Sequence, residues 1–149
     1  MKRQSIKTIN NGEIEFVPSK YKDMDRKAES IYERPLIFMV KRLKREQRYE
    51  LEALTSIRFN VDRESIDVKN LKAGEVTILG QGDATKYIWD NCVSKALNVI
   101  INENGEDKSY EVYDNCKDLW NSFGLDDDIS ETVKFIIDQS KLTEEEAKN

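Results

Sequence analysis

The chain has 149 residues, 36% charged and 38% hydrophobic, with a net charge of −5, which suits one domain or one domain with an arm. Its 2 Trp, 6 Tyr and 5 Phe argue against wholesale disorder. No run approaches the roughly 18 apolar residues of a membrane span, and the absence of histidine removes the usual general base and the commonest neutral metal ligand.

Met1-Lys2-Arg3 is not followed by the apolar stretch of a signal peptide, so the expectation is a soluble protein acting inside a cell. "IKTINNGEIEFV" (6–17) holds two short β-prone pieces around Asn10-Asn11-Gly12, a predicted hairpin. "PSKYKDMDRKAESIYER" (18–34) reads as a polar loop or short helix leading to Pro35. "LIFMV" (36–40) is a strand, buried on both faces if central. From Leu43 to about Ile57 the pattern turns helical, with Leu51, Leu54 and Ile57 three apart.

Residues 58–82 are the least decided. "EVTIL" (75–79), between Gly74 and Gly80, predicts a strand, and Gly80 and Gly82 would end it. Asp83 then caps a helix to about Leu97, with Ile88, Cys92, Val93, Ala96 and Leu97 as its apolar stripe. "NVIINENGEDKSYEVYD" (98–114) gives the clearest local signal, a β-hairpin turning at Asn104-Gly105. Asp114 starts a short helix carrying Leu119, Trp120 and Phe123, which Gly124 terminates. Asp128 and Glu131 stand in capping-box positions for a helix with Ile129, Val133, Ile136 and Ile137 on one face. Thr143 and Glu146 form a second such box, announcing a further turn in "SKLTEEEAKN". The expected fold is α+β: short N-terminal strands, a β-hairpin near 99–113 and several amphipathic helices. Residues 1–34 would be an N-terminal arm with a hairpin, and 35–149 a single domain with an acidic tail.

Several clusters carry chemistry on paper. "KRLKREQR" (41–48) gathers five cations around one carboxylate; a helix would offer positions 41, 45 and 48 on one face, and Arg42, Arg45 and Arg48 are the candidate contacts for phosphates or an acidic partner. Stacking aromatics are scarce there and the chain is acidic, so a solvated helix face is the simpler account and nucleic acid is not the expected partner. "GQGDATK" (80–86) lacks the spacing of a phosphate-binding loop. "LDDDISE" (125–131) lacks a calcium-loop register, and carboxylates at a helix start are favoured by the dipole alone. Cys92 and Cys116 lack metal spacing and read as buried free thiols. No catalytic set, metal or cofactor is expected.

Charge is uneven along the chain. Residues 1–101 carry 19 Lys and Arg against 15 Asp and Glu, and residues 102–149 carry 5 against 14. That asymmetry fits head-to-tail self-association or a basic partner, and more simply two solvated faces of different charge. Candidate apolar contacts are Trp89, Trp120 and Phe123, with Tyr110 and Tyr113 on the hairpin, although core packing would also account for them.

The order "LIFMVKRLKREQRYEL", "CVSKALNVII", "NENGEDKSY", "LWNSFGLDDDI" and "ETVKFIIDQSKLTEEEAKN" resembles small morphogenesis proteins of tailed bacteriophages, tail assembly chaperones in particular. The layout covers about 33–149 and matches in the Leu36–Val40 strand, the Asn-Gly turn and the C-terminal helix. The Gly-Trp-type pair that often precedes the turn in that family is replaced by "LNV". The resemblance implies a non-enzymatic role, either shielding tail proteins before assembly or joining the head, neck or tail permanently. It implies phage tail or capsid proteins as partners, and location in the host cytoplasm or the virion. Such chaperones are often made in short and frameshifted long forms, and if the Lys148-Asn149 codons form a slippery run of adenines, the helix announced at Thr143 would continue in a longer product.

Overall fold

The computed structural model describes residues 12–53 and 73–148, with side chains described over 12–53 and 82–140. The fold is α+β. Four antiparallel strands lie in the order β1 (Ile14–Phe16), β2 (Ile37–Val40), β3 (Val93–Glu103) and β4 (Glu106–Tyr113). Helix α1 is described over 45–53, α2 spans Ala73–Cys92, and α3 spans Asp126–Lys148. Short 3-10 turns occupy Ser19–Tyr21, Ile31–Glu33 and Cys116–Asn121.

The core lies where α2 and α3 cover the sheet. Phe38 and Val40 of β2 and Val93, Ala96 and Val99 of β3 meet Ile88, Trp89 and Cys92 of α2 and Ile129, Val133 and Ile136 of α3. Leu43, Cys116 and Leu119 close it. β1 joins through Phe16, whose ring stacks on Phe135 of α3 at 4.7 Å between centroids.

β2 lies between β1 and β3, and Ile37, Phe38 and Val40 are buried, as its continuous apolar run requires. The β3–β4 hairpin forms as expected. Glu103 faces Glu106, and Asn104 and Gly105 supply the two positive φ values, 54° and 85°, of a type I′ turn. The Asn10-Asn11 half of the predicted N-terminal hairpin and residues 54–57 of the predicted helix lie outside the described residues.

Four local expectations are corrected. "EVTIL" is not a strand: residues 75–79, with Gly80 and Gly82, lie inside α2. A short β-branched run is a weak preference, and glycine costs a helix only about 1 kcal/mol relative to alanine. The helix from Asp83 stops at Cys92, and 93–97 belong to β3. The misleading signal was the helical spacing of Ile88, Cys92, Val93, Ala96 and Leu97, and in the strand itself the buried residues Val93, Ala96 and Val99 fall three apart. Two irregularities create that spacing in the strand. Ser94 is extra in the pairing with β2, where Val40 faces Val93 and Met39 faces Lys95, and Asn98 adopts φ +60°. Ser94 is a bulge that shifts the alternation of the pleat by one residue, whereas Asn98 reorients the strand through its left-handed backbone with the β4 register unbroken, Leu97 facing Val112 and Val99 facing Tyr110.

The other two corrections concern α3. It begins at Asp126, and the Leu125 carbonyl accepts the first helical bond from Ile129 at 2.8 Å. Asp128 therefore sits within the first turn. Its carboxylate, and that of Glu131, turn towards the N-terminal segment instead of capping. Thr143 and Glu146 lie inside the same helix. No glycine or proline separates them from Ser140, so the helix propagates at one further bond per residue.

Candidate functional site: an apolar groove beside Phe123

Pro18 ends the run from β1, and the 3-10 turn after it docks on the first turn of α3. Ser19 donates from both N–H and Oγ to Glu131, at 2.9 and 2.6 Å. These bonds hold the Glu131 carboxyl below its ordinary range. Lys20 pairs with Asp128 Oδ2 at 3.2 Å, and Tyr21 donates its hydroxyl to the same oxygen. Further on, Tyr32 donates to Asp107 at 2.7 Å, and Arg34 pairs with Glu111 at 3.3 Å, both on β4. Asn98 reaches back through Nδ2 to the Pro35 carbonyl, so the residue that disturbs β3 also tethers this segment.

Between this segment, β3 and the 119–125 turn lies a groove of about 610 Å³. Met24, Ile31 and Leu36 form one wall, and the backbone and side chains of 98–102 form the other. Val99 and Leu119, 5% and 4% exposed, make the floor. Phe123 and Leu125 stand at the mouth. The short helix expected from Asp114 is a 3-10 helix from Cys116 to Asn121, so Phe123 lies beyond it, and with Gly124 at φ +83° the chain reverses into α3 with Phe123 at the tip. Its side chain is fully exposed.

The groove's principal polar groups are already engaged. Tyr21, Tyr32, Asn98 and Asn102 donate to protein oxygens, and Arg34 bonds the Ala28 and Glu29 carbonyls as well as Glu111. What the groove offers a visitor is therefore apolar surface and shape. Its volume falls within the range of small-molecule sites, and the exposed Phe123 ring extends the apolar surface past the mouth. Among the described residues, no group of three or more Cys, Asp or Glu is placed to hold a metal ion, and no helix is long and apolar enough to cross a membrane.

The five aromatic contact candidates separate. Trp89 is wholly buried and offers nothing to a partner: its Nε1–H donates to the Cys116 carbonyl at 2.8 Å and its ring meets Phe38 edge-on. Tyr110 and Tyr113 oppose Val99 and Ala96 and pack half-buried against the core, edge to face with each other at 5.1 Å. Trp120 is half-buried beneath the Lys86 ammonium. Phe123 alone of the five is fully exposed.

The basic candidates also part. Arg42 precedes α1, so the helix cannot align it with the others. Arg45 and Arg48 lie on α1 three residues apart, Arg45 exposed and Arg48 half-buried. Cys92 and Cys116 are buried free thiols, each pushed up to about 12 by burial.

Sequence reasoning missed the groove's N-terminal wall. Tyr21, Met24, Ile31 and Tyr32 are spaced irregularly in a polar stretch, with neither period to mark a buried face. Comparison with protein-family models, curated proteins and solved structures finds no significant match.

Proposed function

We propose that this chain is a non-enzymatic assembly protein of a tailed bacteriophage, resembling tail assembly chaperones and acting through protein–protein contacts. The sequence layout over 33–149 supports the phage assignment. The structural observation that carries the contact role is Phe123, 103% exposed at the mouth of an apolar groove. An isolated exposed aromatic needs no explanation; one that continues an apolar concavity is the arrangement of an interface anchor. The partner in this reading is a tail or capsid protein whose apolar segment the groove covers before assembly.

The test is co-purification of the full chain with virion proteins expressed beside it, in wild type and Phe123→Ser. Wild type retains a tail or capsid protein and the variant loses it, an anchor of this kind being worth about 2 kcal/mol or more, or some thirtyfold in Kd. A chain that binds no virion protein, or a variant that binds as well as wild type, overturns the reading. Mass spectrometry of purified particles then separates a transient chaperone from a permanent component.

A further inference from the structure

The groove and the basic cluster lie at opposite ends of α3. Leu125, immediately before the helix, lines the groove. Ser140, in the helix's later half, accepts the N–H of Leu43 through its Oγ at 3.0 Å. The roughly fifteen positions between them correspond to about 22 Å at 1.5 Å per residue.

The two ends differ in charge. Residues 41–53 hold five cations against three carboxylates, and the groove side, residues 18–34 together with 101–128, holds thirteen carboxylates (4 and 9) against seven cations (5 and 2). On the groove side, Glu111 and Asp107 meet the lining residues Arg34 and Tyr32, and exposed Asp126 and Asp127 follow Leu125. At the other end Lys44 and Arg45 are exposed, and Tyr49 is 62% exposed. Arg45 and Tyr49 are four apart on α1 and so share a face. An exposed aromatic beside exposed cations is complementary to an apolar groove edged with carboxylates.

We propose that the groove of one molecule receives the basic end of a second copy, with Tyr49 against Phe123 and Lys44 and Arg45 over the acidic rim. This rests on the reading of the groove as a protein-docking surface and names its occupant. Because the two surfaces are different and lie at opposite ends of α3, a chain cannot fill its own groove. The contact is head-to-tail: each pair leaves one groove and one basic end unused, so association continues as a filament or closes as a ring.

The experiment is sedimentation velocity on the full chain at about 0.01 M and about 1 M ionic strength, between which the Debye length shrinks from roughly 30 to 3 Å. Wild type self-associates at low salt and does so at least roughly tenfold more weakly at high salt. Two variants, Arg45→Glu with Tyr49→Ala and Asp126→Lys with Phe123→Ala, each remain monomeric with wild-type circular dichroism. Mixed in equal amounts they form a one-to-one dimer and nothing larger, since each supplies the surface the other lacks.

A wild type that stays monomeric at low salt up to roughly 1 mM overturns the proposal. Variants that associate like wild type, or a mixture that stays monomeric, do the same. A monomer that still captures a virion protein through Phe123 overturns the self-docking alone and leaves the proposed function standing.

Discussion

Trp89→Phe separates a core tryptophan from a contact residue. The indole is 0% exposed, and its N–H is the donor to the Cys116 carbonyl at 2.8 Å. Phenylalanine retains an aromatic ring near Phe38 but removes the donor. The Cys116 carbonyl begins a 3-10 helix and keeps its i+3 partner, so loss of the indole bond costs about 0.5–1.5 kcal/mol, and a residual void of roughly 40 Å³ adds about 1 kcal/mol at roughly 24 cal/mol per Å³. The sum is about 2 kcal/mol. With a urea m-value of about 2 kcal/mol/M, the unfolding midpoint falls by about 1 M. The control is Trp120→Phe, a half-buried ring whose ammonium contact, 5.9 Å from Lys86, is partly solvated; it costs under about 1 kcal/mol. Urea titrations followed by far-UV circular dichroism measure both. A Trp89→Phe midpoint within about 0.3 M of wild type, or equal losses for the two tryptophans, would refute the placement of Trp89 at the centre of the core.

Glu131, held below its ordinary 4.5 by the Ser19 hydroxyl and N–H, contributes stability that is complete above that value and lost as pH falls through its folded-state pKa. Thermal melts of wild type should therefore drop more steeply below pH 4.5 than those of Glu131→Gln, and parallel curves would show that the Ser19 bonds add nothing. Burial pushes both thiols up to about 12, so Cys92 and Cys116 should resist disulfide reagents near neutral pH until denaturant unfolds the chain. Labelling of the native protein at the rate of a free thiol would contradict their burial.

What the sequence displayed depended on how local each signal was. The β3–β4 hairpin was legible because Asn104-Gly105 needs no help from the rest of the chain to set its turn. The α3 stripe of Ile129, Val133 and Ile136 was legible because one periodic pattern met one buried face. Apolar spacing running into β3 misled because the Ser94 bulge and the positive φ of Asn98 gave a strand the spacing of a helix. Asp128 misled for a different reason. A carboxylate in a first helical turn looks like a cap, and nothing near it in sequence announces Lys20 and Tyr21, more than a hundred residues away. Phe123 was identified as a candidate, but Trp89 could not be set apart from it. Both are large aromatics on helical or turn segments, and only tertiary packing covers one and exposes the other.

The groove itself belongs to no single segment, and its parts are held with unequal strength. Its floor, Val99 and Leu119, is continuous with the hydrophobic core, so moving it would open the packing beneath α2 and α3. Leu36 packs against the core, but the stretch of wall carrying Met24 and Ile31 is fastened mainly by polar clasps, Ser19 to Glu131 at one end and Tyr32 to Asp107 and Arg34 to Glu111 at the other. Water competes for each of these exposed partners, so they add little to stability. The exception is Asp128, whose side chain is 1% exposed beneath Lys20 and Tyr21. Lifting that segment away would also uncover the carboxylate to water, so this clasp differs from the others in being closely covered on the Asp128 side, with Lys20 itself half-exposed. In the proposed docking, an entering segment would meet the polar-clasped stretch from Met24 to Arg34 on one side and the core-backed floor and the Phe123 turn on the other. Discrimination between occupants then falls to the apolar floor, the Phe123 ring, and the carboxylates of β4 and the start of α3.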